Sequence, residues 1–235
     1  MSEKVLIFGM DGNIFDNYSM KAKCAGEAMS KNAKKSFNIK KSVNFFSKIY
    51  VETSGMNSLQ QFKIAYEKIV DKNNVNDKIL ISTEKDFRLN LKKEENNIKM
   101  FPDVKSFLKN NADEFIFTIT TTVPIKNITN LVNLLTLDKY FTIICARDGV
   151  WEKGKITKIS GFDKGKSHYD YIRKKFKTSN LIAISSTKTD ILNAIQEDII
   201  SISLEHIYDK KFLESLSPDY ILKNCNGLLK LLIKI

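Results

Sequence analysis

Cysteine is scarce in this 235-residue chain: Cys24, Cys145 and Cys225 stand far apart and in no Cys-x-x-Cys pair. That spacing excludes a disulfide framework and a cysteine-based zinc site, and it suits a reducing compartment. With three prolines and nine glycines there is no Pro- or Gly-rich linker, and no internal repeat is visible. The length then fits one α/β core with an insertion better than two independent domains. Long apolar runs are also missing. Nothing approaches the ~20 residues that cross a bilayer, and four apolar residues between Lys4 and Gly9 are too few for a signal core. A soluble, cytoplasmic protein without membrane contact is expected.

Acidic residues are outnumbered. Lys and Arg total 38 against 27 Asp and Glu, a formal charge of +11. Such an excess attracts nucleic acid, acidic surfaces or phosphorylated metabolites, but it comes mostly as Lys among many Asn and Ile residues, a pattern that biased codon usage also produces. The most basic stretch holds Lys21, Lys23, Lys31, Lys34, Lys35, Lys40 and Lys41 against Glu27. It lacks the interleaved aromatics and Arg of a base-stacking surface, so nucleic acid is not expected as a partner.

What is present begins with Val5-Leu6-Ile7-Phe8-Gly9-Met10-Asp11-Gly12-Asn13-Ile14-Phe15-Asp16. An apolar run that breaks into Gly, Asp, Gly, Asn and Asp reads as a buried parallel strand opening into a tight loop, the usual place for chemistry in an open α/β sheet. From about Tyr18 to Asn97 the strand signal is replaced by helical periodicity. Leu59, Phe62, Tyr66, Ile69 and Val70 form one stripe on a helix over residues 57–71, and weaker helices fit 19–32, 43–51 and 84–94. Leu59, Phe62, Tyr66 and Ile69 are expected to face other helices of this insertion. Strand and helix then alternate. Pro102 starts a helix that buries Val104, Phe107 and Leu108, and Phe115–Pro124 is a β-branched strand leading to a helix through Ile128, Leu131, Leu134 and Leu135. Residues 140–146 form a further strand and 148–156 a hairpin or flap. A helix through Tyr169, Ile172 and Phe176 follows, then strands at 181–185, 199–204 and 218–222 and a last helix at 228–232.

The opening loop resembles the first motif of the haloacid dehalogenase-like hydrolases, Asp-x-Asp-Gly-Thr-Leu/Ile-x-Asp after a buried strand. By that resemblance the nucleophilic Asp falls on Gly9, the general acid/base on Asp11 and the Thr on Asn13, while Gly12, Ile14 and Asp16 match. The motif is damaged, because a glycine cannot attack phosphorus. Similar segments follow in the family's order over nearly all of residues 4–235. The resemblance assigns phosphoryl binding to Thr121, with Thr120 or Thr122 as near substitutes, and the site lysine to Lys164, with Lys166 as the alternative. In Ser185-Ser186-Thr187-Lys188-Thr189-Asp190 it places Ser186 where a magnesium-binding Asp stands and keeps the second acid as Asp190.

The implied fold is α/β: a Rossmann-like, doubly wound, mostly parallel sheet, residues 1–17 and 98–235, with an inserted α-helical cap subdomain, residues 18–97. In such a cap, Thr53-Ser54-Gly55-Met56 is either a substrate-facing turn or a plain interhelical loop. The implied chemistry is phosphomonoester hydrolysis resembling phosphoglycolate phosphatases, impaired here because Gly9 and Ser186 replace the nucleophile and a metal-binding Asp. Magnesium is bound by hard anionic oxygens; the Asp11 backbone carbonyl and the Asp190 carboxylate leave a weak Mg²⁺ site. The expected partner is a small phosphorylated or anionic ligand near Asp11, Asn13, Thr121 and Lys164. Equally, Asp11, Asn13 and Asp16 are residue types that simply hydrogen-bond a turn and cap a helix. Two other functions remain open, an active but divergent Mg²⁺-dependent phosphatase and a non-enzymatic binding protein using its basic cap. Both monomer and homodimer are compatible with the sequence.

Overall fold

Residues 4–235, apart from the side chain of Glu95, are described by the computed structural model. The apolar run at its start is strand β1 (Val5–Gly9), buried along its whole length. Four helices follow: α1 (Tyr18–Phe37), α2 (Val43–Glu52), α3 (Ser58–Glu67) and α4 (Asp77–Glu94). The chain then alternates through α5 (Pro102–Asn110), β2 (Ile116–Pro124), α6 (Ile128–Leu135), β3 (Ile143–Arg147), β4 (Gly149–Glu152) and β5 (Lys155–Lys158). It finishes with α7 (Lys166–Phe176), β6 (Leu181–Ser185), α8 (Lys188–Gln196), β7 (Ile200–Leu204), α9 (Lys210–Glu214), β8 (Tyr220–Leu222) and α10 (Leu228–Leu232). No helix among the described residues is long and apolar enough to cross a membrane.

The chain divides into two compact units, Met1–Asp16 with Lys99–Ile235, and Asn17–Ile98. The first holds one eight-stranded sheet of order β5-β4-β3-β2-β1-β6-β7-β8. Strands β3, β2, β1, β6, β7 and β8 run parallel, and β4 and β5 add an antiparallel edge. β1 is uniformly apolar because both of its faces are covered. Val5 and Ile7 join Cys145, Ala183, Tyr169, Ile172 and Ala194 on one side, where α7 and α8 pack. On the other, Phe8 meets the edges of Phe117 and Phe141, each at 6.1 Å between ring centres, and Phe107 of α5 packs on Phe117. An interior parallel strand of this kind delivers its last residue, Gly9, to the carboxyl end of the sheet, where open α/β folds place their sites.

The second unit is helical because its caps and apolar stripes agree. The Ser42 hydroxyl accepts the Phe45 N–H at 3.1 Å to open α2, and Asn57 does the same for Gln60 to open α3, while Asn38 ends α1 in the left-handed conformation. Phe62 and Tyr66 are fully buried; Phe62 lies edge-on to Phe87, and the Tyr66 hydroxyl is 2.6 Å from that of Thr83.

Several expectations need correction. α3 stops at Glu67, so Ile69 and Val70 lie past its end and are half-buried, and Leu59 is 37% exposed instead of facing other helices. Gln61 takes the inward position, its amide donating to the carbonyls of Tyr50 and Thr53. α4 starts at Asp77, seven residues before the expected 84, since Ile79 and Leu80 already belong to its buried face. In α6 it is Ile128 and Val132 that are buried, whereas Leu134 is 45% exposed. α9 was not anticipated; at five residues it is too short to show a period.

Burial separates the two ends of the α3 stripe in a measurable way. Phe62→Ala should destabilise by roughly 3–5 kcal/mol, whereas Leu59→Ala should stay within about 0.5 kcal/mol of the wild type, both read from denaturation midpoints at constant slope.

Candidate active site

The carboxyl ends of β1, β2 and β6 meet side by side, with Gly9 opposite Thr120 on one flank and Phe8 opposite Ile184 on the other. After Gly9 the chain turns back at once. Gly12 takes a φ of 68°, which a glycine adopts without strain, and its N–H donates to the Phe15 carbonyl at 2.9 Å. Asn13 is thereby driven inward until it is fully buried. Its amide donates to the Ile184 carbonyl at 2.7 Å and, more weakly, to the Gly9 carbonyl at 3.3 Å, and its oxygen accepts the Ser186 hydroxyl at 3.1 Å. The Asn13 and Ser186 side chains thus form a neutral clasp between the first loop and the β6 loop. Asp11 is half-buried and bridges to Phe15, while Asp16 is exposed and its N–H donates to the Lys99 carbonyl.

The β6 loop ends in a local cap. Thr187 accepts the Asp190 N–H at 3.4 Å and starts α8, and the Ser185 hydroxyl accepts the Thr187 N–H at 3.1 Å. This start to the helix buries Asp190. Lys164, in the loop before α7, donates to Asp190 Oδ2 at 2.8 Å and lies 2.7 Å from Oδ1; the side chains are 11% and 5% exposed. Lys166 points elsewhere, ion-paired on the surface with Glu197 and Asp170. Of the two candidate lysines, Lys164 is the one brought to Asp190.

The space beside this pair is decided by Gly9. A Cβ added there would sit 2.8 Å from Asp190 Oδ2, well inside van der Waals contact, with Asn13 Cβ and Ser185 Oγ next at 3.8 Å. The Asp190 carboxylate therefore occupies room that any side chain at position 9 would need. Thr121 is buried on β2 and its hydroxyl accepts the Val123 N–H at 3.2 Å; Thr120 is likewise buried and Thr122 half-buried.

Magnesium, which the resemblance implies, can be tested against this donor set. Among the described residues no three His, Cys, Asp or Glu side chains converge in a way that could hold a metal ion. The Lys164 ammonium already lies within 2.8 Å of both oxygens of Asp190, hydrogen-bonding Oδ2 while Oδ1 has no well-formed hydrogen bond, and the Ser186 hydroxyl, a neutral group, donates its proton to Asn13. Mg²⁺ binding relies on one or two free carboxylates in near-octahedral geometry, and these residues do not fit it.

A histidine to which the sequence gave no role lies behind the lysine. His168, on the first turn of α7, is fully buried against Phe162, and neither ring nitrogen has a well-formed hydrogen bond. Burial, and then the charge of Lys164, push its pKa down to about 3. Its only advance signal was its place four residues after Lys164.

No family model matches the chain and no curated protein matches it. Solved structures do. A hydrolase from Pseudomonas syringae superposes with a TM-score of 0.74 at 19% identity, covering 99% of both chains. A haloacid dehalogenase-like family hydrolase from Streptococcus pneumoniae gives 0.71 at 15%, over 98% of this chain and 99% of that one. The chain has the haloacid dehalogenase-like fold. A predicted phosphoglycolate phosphatase from Haemophilus somnus is similar over 98% of each chain, with a TM-score of 0.71 at 15% identity. Identities this low carry the haloacid dehalogenase-like fold and leave the chemistry to the residues.

Two outcomes follow from the geometry. Lys164→Met should cost roughly 3–5 kcal/mol, the usual penalty for stranding a buried charge, seen as a lower denaturation midpoint. His168 stays neutral in the native state while its unfolded form binds a proton near pH 6.5, so its contribution is complete above pH 6.5 and is lost as pH falls toward about 3. The slope is about 1.4 kcal/mol per pH unit inside that window. Thermal melts of wild type and His168→Leu between these limits should show a shallower acid decline in the variant.

Proposed function

We propose that this chain is a phosphatase-fold protein that does not hydrolyse its ligand and binds a small phosphorylated or otherwise anionic molecule at the carboxyl ends of β1, β2 and β6. The observation that carries the reading is Gly9: the strand end where the resemblance requires a nucleophile has no side chain, and the space is filled by the carboxylate of Asp190. No Cys, Ser or His in the first loop stands in for it, and losing a nucleophile costs on the order of a millionfold in turnover. Asp11, as general acid/base, then has no covalent intermediate to serve.

Retained binding is supported by what survives. Thr121 keeps a hydroxyl proton to donate after accepting from Val123, and the Lys164 ammonium keeps an N–H beyond those that meet Asp190. The half-buried Asp11 stands in the first loop, which the fully buried Asn13 ties to β6. Asp190 and the Asp11 carbonyl leave Mg²⁺ at most a weak foothold, because the only buried carboxylate of the two is already paired.

The reading is tested with p-nitrophenyl phosphate in the presence of Mg²⁺, Mn²⁺ or Co²⁺. No p-nitrophenolate above background is expected with any of them. Release that Asp11→Asn abolishes would show a working enzyme and overturn the proposal.

A further inference from the structure

The misfit between this donor set and a divalent ion has a structural origin that reaches past the missing nucleophile. Three features interlock at the end of β1. Gly9 leaves open the space into which Asp190 Oδ2 projects, 2.8 Å from where a Cβ would be. Lys164 meets both oxygens of that carboxylate, at 2.8 and 2.7 Å, with little of either side chain exposed. The Ser186 hydroxyl donates to the Asn13 amide oxygen at 3.1 Å, so the position where the resemblance places a metal-binding carboxylate carries a neutral hydroxyl in a neutral hydrogen bond.

From this we infer that the site is built to work without a divalent metal: the Lys164 ammonium is the resident counter-ion of Asp190, and Gly9 is the residue that allows the pair to close. An ammonium on a flexible stem neutralises a buried carboxylate as a point charge, here hydrogen-bonding Oδ2 while Oδ1 at 2.7 Å has no well-formed hydrogen bond, and it needs none of the six-fold coordination that magnesium demands. The charge is balanced before any ligand arrives. Metal and lysine would compete for the same two oxygens, and a cation entering from water would have to displace a buried ion-pair partner. Gly9 is not among the glycines with positive φ, so a substitution there acts through contact with Asp190 and not through backbone strain. Gly9 and Lys164 are accordingly positioning residues for the Asp190 carboxylate.

The inference rests on the non-hydrolytic reading only for the location of the site, and the two fail separately. Titration calorimetry of the wild type with MgCl₂ alone should give no saturable heat, and thermal melts in MgCl₂ and in EDTA should coincide. In parallel, Gly9→Ala should lower the melting temperature in the wild-type background and have a much smaller effect in an Asp190→Ala background, because the added Cβ then meets no carboxylate. A saturable one-to-one magnesium isotherm would overturn the inference even if p-nitrophenyl phosphate stayed intact. A Gly9→Ala effect that is absent, or equal in both backgrounds, would overturn the role given to Gly9. Hydrolysis without magnesium binding would instead overturn the proposed function and leave the metal-free site standing.

Discussion

The ion pair between Lys164 and Asp190 is the constraint around which the carboxyl end of the sheet is arranged. Taking two charges out of water costs several kcal/mol for each ion, and only close, well-matched contact offsets it. Here the match is obtained by letting the ammonium face both carboxylate oxygens and by removing every atom at position 9 that would stand in the way. A glycine at the end of an interior strand is otherwise a poor choice, since it adds backbone entropy to the unfolded chain and packs nothing. Its presence makes sense as clearance for Asp190.

The remainder of the core unit supports that pair in layers. β1 is interior and covered on both faces, so its end is fixed by aromatic contacts of Phe8 on one side and by the cluster around Ile7 on the other. Asn13 ties the first loop to β6 through the Ile184 carbonyl, and Thr187 sets the start of α8 from which Asp190 projects. These hydrogen bonds are neutral, so they carry a smaller desolvation cost than buried charges would.

Much of this fold was legible because its signals are local. A continuous apolar run marked β1 as a buried parallel strand, β-branched and aromatic composition marked β2, Pro102 marked the start of α5, and periodic apolar residues marked helices between β1 and α5. Signals failed where tertiary packing decides. Leu59 fits the α3 stripe by spacing, yet Gln61 is the residue turned inward, because its amide satisfies two carbonyls. The start of α4 was missed because Ile79, Leu80 and Ile81 form an unbroken apolar run with no helical period, of which the first two are buried and the third is exposed. At the candidate site, motif spacing named residues that the fold gathers at one end of the sheet, Gly9, Asn13, Ser186, Lys164 and Asp190 among them. It could not show that Asp190 fills the space left by Gly9, or that His168 is buried behind the lysine. Gly9 and Asp190 belong to segments more than a hundred residues apart, and the burial of His168 depends on packing against Phe162, so no local pattern encodes either.

The most direct measurement is a crystal structure of the wild-type protein grown in magnesium chloride and inorganic phosphate. The account predicts that Lys164 still meets both oxygens of Asp190, that the Ser186 and Asn13 side chains remain bonded to each other, and that no octahedral ion lies beside Gly9. A magnesium ion coordinated by Asp190 and the Asp11 carbonyl, with Lys164 swung away from the carboxylate, would contradict it.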